Sequence, residues 1–380
     1  MRELFPITRN YIYLNHAAVA PYSTRVVDAI RRLVDDITVN GSVNWHSWTE
    51  TLKRCRKLYA ELVGAKDGQI AFVRNTSDGI SAIANGFNWK KGDNVVSCDI
   101  EFPANIYPWM NLASKGVELR LAKSRDGRIE AEDVFELIDE RTRVVSLSWV
   151  QYSSGFRADI ATIGRFCRAR EILFVLDAIQ GLGALKLDVE AACIDAFAAD
   201  AHKFLMGPEG LGILYLSDRA MQKVTPSIVG WMSVKDWWRC FDEDFKYRME
   251  LLPNALRFEC GTPNTLGAFG AEAAVQLILE VGPQKIEDYL LDLCAYLSTR
   301  LQEIGFEIVA APRNRKEASS IVCCKHKVLS AENLCRQLER EKIITAYRCG
   351  SLRISPHFYN DQSDIDRLIA ALEKIKRAEI

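Results

Sequence analysis

Apolar residues recur along this chain at two spacings, and the two kinds of segment alternate. Apolar positions three and four residues apart predict amphipathic helices, whereas short apolar runs bounded by turn residues predict buried strands. The predicted helices cover 23–37, 48–65, 76–87, 103–116 and 160–171, and the predicted strands cover 69–75, 93–100, 117–123, 142–151 and 172–180. This alternation predicts an α/β fold in which helices cover both faces of a mostly parallel sheet.

The pattern changes near residue 262. The segment 265–282, TLGAFGAEAAVQLILEVG, predicts one long helix that could link two domains. Beyond it, short apolar runs lie between helical segments, as expected for a smaller α+β domain. Because 380 residues suit two domains, we assign residues 20–261 to a large domain and residues 1–19 with 262–380 to a small one.

Composition and charge exclude several classes of protein. The net charge is -1, so no basic excess indicates binding to nucleic acid or to an anionic membrane. No apolar run approaches the length of a membrane span, and the first residues lack the apolar segment of a secretion signal. The 11 cysteines form no CxxC pair, which favours a reduced, cytoplasmic protein without a disulfide framework or a zinc site.

One strand-like stretch, FAADAHKFLMGPEGLGILYL at 197–216, carries a lysine among apolar residues. Lysine is among the residues least often fully buried, so Lys203 needs a reason to be there. Asp177 ends an earlier apolar strand, and ligands of open α/β sheets bind at the carboxyl ends of the strands. Pyridoxal phosphate uses both groups, because it takes a lysine as a Schiff base and an acid against its pyridine nitrogen.

A helix start would supply the backbone N–H donors that the 5′-phosphate needs. The segment RNTSDGI places Thr76, Ser77 and Gly79 where a predicted strand turns into a helix. Structural alternatives stay open from these residues alone. Lys203 could extend from a sheet edge with its ammonium in water, and Asp177 could cap a helix.

Seven segments resemble the class V aminotransferase family, a branch of the fold-type I pyridoxal-phosphate enzymes. This family includes cysteine desulfurases, selenocysteine lyase, cystine C–S lyases and isopenicillin N epimerase. The resemblance implies a large domain with a mostly parallel sheet, a smaller α+β C-terminal domain, and pyridoxal phosphate as the cofactor. The segments are YLNHAAVAP (13–21), VRNTSDGI (73–80), EFPANIYPW (101–109), DAIQGLGALKLDV (177–189), DAHKFLMGPEGLGILY (200–215), RFECGTPNT (257–265) and LRISPHFYN (352–360).

The resemblance implies roles for residues around the cofactor ring. Lys203 matches the Schiff-base lysine, and Asp177 matches the partner of the pyridine nitrogen. Gln180 would hydrogen-bond the phenolic oxygen of the ring. Phe102 would stack on the ring where desulfurase-like members carry a histidine, which removes a potential acid–base group. Gln151 stands where an asparagine near the ring oxygen is common.

Other matched positions concern the phosphate and the substrate. His202 would contact the phosphate, and Thr76 with Ser77 would bind it through backbone and hydroxyl groups. Thr262 would reach the phosphate of the neighbouring subunit, which implies a homodimer with shared sites. Arg353 would bind the substrate carboxylate, because its planar fork suits a planar anion, although a structural ion pair is the alternative.

Two departures from the family pattern matter for the chemistry. Asp200 replaces a serine that binds the phosphate, and we expect it to turn away, since a carboxylate would repel that dianion. Desulfurases carry a persulfide-forming cysteine on a long mobile loop, whereas here AYRCGSLRIS (346–355) is short. Cys349 lies only four residues before Arg353, so we expect an inert residue and no persulfide relay, but C–S cleavage remains possible.

Three features stay open. His16 and His46 either line the site or serve as packing or surface residues. The tryptophan-rich stretch GWMSVKDWWRC (230–240) is either a flap over a substrate pocket or ordinary dimer packing.

We therefore predict a pyridoxal-phosphate enzyme that acts at the α-carbon of an amino acid, as a cysteine desulfurase-like C–S lyase. A class V aminotransferase or an amino-acid epimerase is the alternative, because the sequence does not determine which bond is broken. A cofactor-binding protein without turnover is disfavoured, since Lys203 and Arg353 are both intact.

Overall fold

The predicted strands and helices recur in a computed structural model that describes residues 1–379. The strands, in chain order, are β1 (Ile12–Tyr13), β2 (Ile70–Val73), β3 (Asn94–Cys98), β4 (Glu118–Ala122), β5 (Thr142–Ser148), β6 (Leu173–Asp177), β7 (Ala196–Asp200), β8 (Gly212–Leu216), β9 (Glu307–Ile308), β10 (Val322–Lys325), β11 (Ile343–Ile344), β12 (Ala346–Arg348) and β13 (Ser351–Ile354).

Five of the six helices predicted with bounds are present, the exception is described below, and further helices occur between them and in the C-terminal part. In chain order the α-helices are α1 (Thr24–Asn40), α2 (Trp45–Val63), α3 (Thr76–Gly86), α4 (Tyr107–Met110), α5 (Ala131–Phe135), α6 (Ile160–Ala169), α7 (Asp218–Lys223), α8 (Thr265–Val281), α9 (Pro283–Glu303), α10 (Ala331–Arg340) and α11 (Gln362–Glu379).

Seven strands form the central sheet in the order β2-β8-β7-β6-β5-β3-β4. Neighbouring strands from β7 to β4 pair in parallel, while β8 runs antiparallel to both β7 and β2. Phe197 and Ala199 of β7 lie in one apolar core, and Ala196 and Ala198 lie in another. Because side chains alternate along a strand, the sheet is covered on both faces, and the predicted α/β class is confirmed.

The helix boundaries follow local sequence signals. The Ser23 side chain accepts a hydrogen bond from the Val26 N–H, which caps α1 as predicted. α2 begins at Trp45, before the predicted start. The residue after its last turn, Gly64, has a left-handed backbone conformation and caps the helix. These caps satisfy backbone groups that a helix end leaves without partners.

The prediction of a single helix over 103–116 is wrong. The structure instead has a 3₁₀ turn at Pro103–Asn105, the short α4, and a second 3₁₀ turn at Asn111–Lys115. Pro103 and Pro108 each stand in the first turn of their own segment. Since proline lacks an N–H and restricts the residue before it, a continuous helix cannot pass these positions.

The C-terminal part contains a second, antiparallel sheet in the order β12-β13-β10-β9. The N-terminal residues join this part, because β1 pairs in parallel with β11 and Ile12 and Leu14 lie in its apolar core. α8 packs against α1 and α2, with its buried side chains in the main core. The division into residues 20–261 and the remainder stays a prediction.

Within residues 1–379, no single helix is both long enough and apolar enough to cross a bilayer. α8 and α9 meet the criteria of length and composition only as a pair, and they are bent by 77° at their junction.

Candidate active site

Two neighbouring strand ends bring the predicted residues together. β6 ends at Asp177 and pairs in parallel with β7, which ends at Asp200. His202 and Lys203 follow in the turn between β7 and β8. Because parallel strands place their carboxyl ends at the same edge, residues distant in sequence meet at this edge.

A cavity of about 340 Å³ opens at this edge, which is within the usual range of small-molecule sites. Most of the predicted site residues line it, namely Thr76, Ser77, Phe102, Asp177, Gln180, His202, Lys203 and Arg353. The two exceptions are Gln151 and Thr262. The structure therefore brings together side chains that the sequence placed in five separate segments.

Asp177 is a buried carboxylate with few partners. Its Oδ1 accepts a hydrogen bond from the Ile179 N–H at 3.1 Å, and only 3% of the residue is exposed. Burial raises the pKa of Asp177 to about 7, and the nearby Glu101 carboxylate adds to this rise. The Ile179 N–H and the Lys203 ammonium oppose it. A cationic group placed in the cavity would hold this carboxylate ionised.

Burial has the opposite effect on the pKa of Lys203. Burial lowers the pKa of Lys203 to about 8, while the charge of Asp177 opposes the fall. The Lys203 Nζ lies 5.7 Å from the centre of the Phe102 ring. A neutral amine is therefore accessible near physiological pH, and a neutral amine is the form that attacks carbonyls and accepts protons.

The start of α3 forms another wall of the cavity. Asn75 caps this helix by accepting from the Asp78 N–H at 2.9 Å, and Thr76 and Ser77 occupy its first turn. N–H groups in a first turn have no carbonyl partner inside the helix. Together with the helix dipole, they favour an anion such as a phosphate at this end.

Asp200 is among the residues that line the cavity, and its Oδ1 lies 3.1 Å from His202 Nδ1. The expectation that its carboxylate turns away from the phosphate stays a prediction. The Asp200 N–H donates to Thr76 Oγ1 at 3.2 Å, which fixes the end of β7 against α3. The imidazole beside the carboxylate gives it a polar neighbour.

The two predicted glutamines have different surroundings. Gln180 lines the cavity and donates from Nε2 to the Ala17 carbonyl at 3.2 Å. Gln151 is buried outside the lining and donates from Nε2 to Glu101 Oε1 at 2.9 Å. Gln151 is therefore placed to hold Glu101, and it does not reach the cavity in which a cofactor would bind.

Arg353 projects from β13 and is 1% exposed. Its Nη1 donates to the Tyr152 carbonyl at 3.1 Å. Burial lowers the pKa of Arg353 to about 10, and the charge of Arg348 adds to this effect. The guanidinium therefore remains charged at neutral pH, and its Nε and Nη2 have no hydrogen-bond partner among residues 1–379. No carboxylate pairs with it among the same residues, which disfavours a purely structural ion pair.

Cys349 lies at the tip of the hairpin formed by β12 and β13. Arg348 pairs with Ser351 across the strands, so Cys349 and Gly350 form a two-residue turn. Both have positive φ, 47° and 78°, as a type I′ turn requires. The sulfur is exposed and lies on a tight turn, in agreement with the short tether expected from the sequence.

Three other predicted or open positions lie elsewhere. Thr262 is exposed and lies beside Trp231. His16 is a packing residue, because it is buried and its ring nitrogens contact the Ser355 carbonyl at 2.8 Å and the Tyr359 hydroxyl at 2.7 Å. His46 is exposed near the start of α2.

The sequence did not point to three further polar residues at or behind the cavity. Tyr152 and Arg348 line the cavity. The only sequence feature that could have indicated them is that Tyr152 follows Gln151 and Arg348 lies five residues before Arg353. Glu101 is buried behind the cavity, where it accepts from the Ser148 N–H at 2.7 Å. Within the described residues, no group of three or more His, Cys, Asp or Glu side chains could hold a metal.

Unpaired polar atoms test whether pyridoxal phosphate fits this cavity. Arg353 Nε and Nη2 are buried donors without a hydrogen-bond partner in residues 1–379, and within the same residues Asp177 accepts one hydrogen bond, from the Ile179 N–H. An unpaired buried polar group costs about 1–3 kcal/mol, so these groups favour a charged ligand in the cavity. Asp177 would complement a cationic ring nitrogen, the second N–H of Gln180 Nε2 would complement a ring oxygen, and the N–H groups at the start of α3 would complement a phosphate, so the residues present fit this cofactor.

Comparisons with known proteins agree with this geometry. The family model described as aminotransferase class-V matches residues 12–368. A probable cysteine desulfurase of Methanothermobacter thermautotrophicus is 28% identical over 398 residues, covering 99% of this chain and 97% of that protein.

Two solved structures share the fold. The apo cysteine desulfurase from Thermococcus onnurineus NA1 matches with a TM-score of 0.88 at 25% identity, covering 99% of this chain and 97% of that chain. The cystine C–S lyase C-DES, in complex with its reaction product cysteine persulfide, matches with a TM-score of 0.88 at 22% identity, covering 97% and 98%. At 22% identity, the similarity to C-DES supports the fold alone.

The family match spans almost the whole chain and includes every residue that lines the cavity. The expected cofactor also agrees with the unpaired polar atoms found there. The chain therefore belongs to the class V aminotransferase family, whose members are pyridoxal-phosphate-dependent enzymes.

Proposed function

We propose that this enzyme cleaves the C–S bond of cysteine or of a related amino acid and releases the sulfur directly. The observation that carries the proposal is the placement of Lys203, Asp177 and Arg353 around one cavity. These groups are the minimum set for chemistry at the α-carbon of an amino acid, with an amine, a carboxylate and a cation for the substrate carboxylate. The names of the similar proteins direct the choice towards sulfur chemistry.

The cofactor supplies one property that the protein lacks. When bound, pyridoxal phosphate withdraws electrons from the substrate through its ring, which stabilises negative charge at the α-carbon. Asp177 would hold the ring nitrogen protonated, Gln180 would bond the ring oxygen, and Phe102 would cover the ring. Thr76, Ser77 and His202 would bind the phosphate.

Lys203 and Arg353 would act on the substrate itself. The unused Nε and Nη2 donors of Arg353 suit a bidentate bond to the α-carboxylate. Lys203, with its pKa lowered to about 8 by burial, would accept the α-proton as a neutral amine near pH 8. The sulfur then leaves with the bonding electron pair, so the step requires neither an oxidant nor a reductant.

A cysteine-bound persulfide is not part of this proposal. Cys349 sits in a two-residue turn whose next strand carries Arg353. Its sulfur lies 3.6 Å from the hydroxyl of Tyr152, a residue that lines the cavity, and the pairing of Arg348 with Ser351 leaves the turn little freedom to move. A tight turn also gives no reach for delivery to an acceptor.

We also propose a homodimer in a reducing, cytoplasmic compartment. Thr262 lines a cavity of about 210 Å³ together with an aromatic cluster, Trp45, Trp48, Trp231 and Trp237. The segment after Trp231 exposes Phe241 by 82% and Tyr247 by 96%. Exposed apolar surface of this kind is typical of an interface, and a second copy covering it would bring Thr262 towards the partner's cofactor. The 11 free cysteines favour the compartment.

Asp177→Asn should retain the cofactor but lose about 10²–10³-fold in turnover, because a neutral amide cannot hold the ring nitrogen protonated. Cofactor content by absorbance and product formation from cysteine would measure the two effects separately. Asp28→Asn, at an exposed position on α1, is the control and should match wild type. Near wild-type turnover in Asp177→Asn would show that the carboxylate has another role.

Cys349→Ser should retain C–S cleavage within about twofold, because no step of the proposal uses the sulfur and a serine hydroxyl keeps a polar group beside the Tyr152 hydroxyl. Sulfide and pyruvate from cysteine, or persulfide from cystine, would be assayed, and Lys203→Ala should abolish both. Mass spectrometry after a single turnover should find no added sulfur atom on Cys349. An added sulfur there, or a lost activity in Cys349→Ser, would favour a true desulfurase. Keto acid formed with retention of sulfur would favour an aminotransferase.

Sedimentation velocity at micromolar concentration should find two chains per particle. Phe241→Glu should raise the fraction of monomer, since it places a charge in the proposed interface. Val328→Glu, at a residue that is 69% exposed in the C-terminal part, should leave the dimer intact. Monomeric wild-type protein with full cofactor occupancy would contradict the shared site.

A further inference from the structure

Tyr152 combines three contacts that fix its phenol at the cavity. Its side chain lines the cavity, and its carbonyl accepts from Arg353 Nη1 at 3.1 Å. Its ring packs edge-on against Phe102, with the ring centres 5.1 Å apart. The same residue therefore contacts the proposed carboxylate-binding arginine and the side chain proposed to cover the cofactor.

The hydroxyl of Tyr152 is held on the hairpin side of the cavity. It lies 3.6 Å from Cys349 Sγ at the tip of the β12–β13 hairpin. The phosphate-binding groups proposed above, at the start of α3 and at His202, form a different wall. The phenol is therefore placed with Arg353 on the side where the substrate carboxylate would bind.

C–S cleavage is helped by a proton donor on the side of the cavity where the sulfur departs. Lys203 takes a proton from the α-carbon and holds it as an ammonium, and the sulfur leaves with the bonding electron pair as an anion. Phe102 packs against Tyr152 at the cavity but cannot donate a proton, because its side chain is a phenyl ring. A donor on the hairpin side would protonate the sulfur without using the proton held by Lys203.

We propose that Tyr152 is the general acid that protonates the departing sulfur. This role rests on the proposed C–S cleavage and adds a residue to it. As the C–S bond breaks, the electrons of the α-carbon–hydrogen bond form a double bond between the α- and β-carbons, the sulfur takes the C–S bonding electrons, and the Tyr152 O–H gives it a proton. Hydrogen sulfide from cysteine, or a persulfide from cystine, and a phenolate then form. The partly exposed phenolate then recovers its proton from water, and no other reactant is required.

Two opposing effects act on the Tyr152 proton. Burial raises the pKa of Tyr152 to about 12, and the contact with Cys349 adds to the rise, which keeps the phenol protonated before the step but makes it a weaker acid. The charges of Arg348 and Arg353 oppose the rise. These two cations would stabilise the phenolate during the moment when it exists.

A comparison of two leaving groups tests this role. L-cysteine loses a sulfur anion that needs a proton, whereas β-chloro-L-alanine loses chloride, which needs none. In the holoenzyme, Tyr152→Phe should slow cleavage of L-cysteine by about 10²-fold or more, as is typical for a lost general acid, but slow chloride elimination by less than about fivefold. The Phe side chain retains the packing against Phe102, and cofactor absorbance would confirm equal occupancy.

Tyr347→Phe is the matched control. Tyr347 lies on β12 of the same hairpin, is 43% exposed and does not line the cavity, so its variant should keep the wild-type ratio of the two rates. Exchange of the α-proton with deuterated water adds a second readout, and Tyr152→Phe should affect it far less than C–S cleavage.

Equal losses on both substrates in Tyr152→Phe would overturn the role of Tyr152 and leave the proposed function standing. A wild-type enzyme that eliminates chloride but cleaves no C–S bond would overturn the proposed function, and this role with it.

Discussion

Two opposite charges at one sheet edge, a buried carboxylate and a half-buried amine, govern the organisation of this enzyme. Asp177 and Lys203 lie in one cavity, where burial raises the pKa of the carboxyl to about 7 and lowers the pKa of the amine to about 8. Each charge reduces the penalty of the other, because opposite charges attract more strongly at low dielectric. The pair is thus able to accept a cofactor that brings a cationic ring nitrogen to the acid and a carbonyl to the amine.

The sheet order explains why such a costly pair can be held in place. β6 and β7 are neighbours, are parallel, and are buried along their whole length, so their ends have little freedom to separate. Other chain segments then close the cavity. α3 brings backbone donors to one wall, and β13 brings Arg353 to another from the C-terminal sheet. A substrate carboxylate held by Arg353, as proposed, would therefore couple the central sheet to the C-terminal part of the chain.

Local signals in the sequence predicted those features that depend on short-range physics. The apolar run that ends at Asp177 could only be a buried strand, and Ser23 marked the start of α1 because a hydroxyl at that position caps a helix. The sequence also placed Lys203 at the sheet edge, since a lysine inside an apolar segment needs a chemical partner.

Features that depend on contacts between distant segments could not be predicted. The helix expected over 103–116 is divided because two prolines outweigh its apolar spacing. Asp200 lies against His202, and Gln151 lies outside the cavity lining with its amide bonded to Glu101. Tyr152 gave no signal, because its position depends on β13 and on the hairpin tip, both far along the chain.

The most direct measurement of the central claim is to reduce the purified holoenzyme with borohydride and to map the labelled peptide. Borohydride fixes a cofactor carbonyl to the amine that holds it, so the cofactor should be found on Lys203, and Lys203→Ala should contain no covalent label. A cofactor fixed to another lysine, or a wild-type protein that takes up no pyridoxal phosphate, would contradict the account.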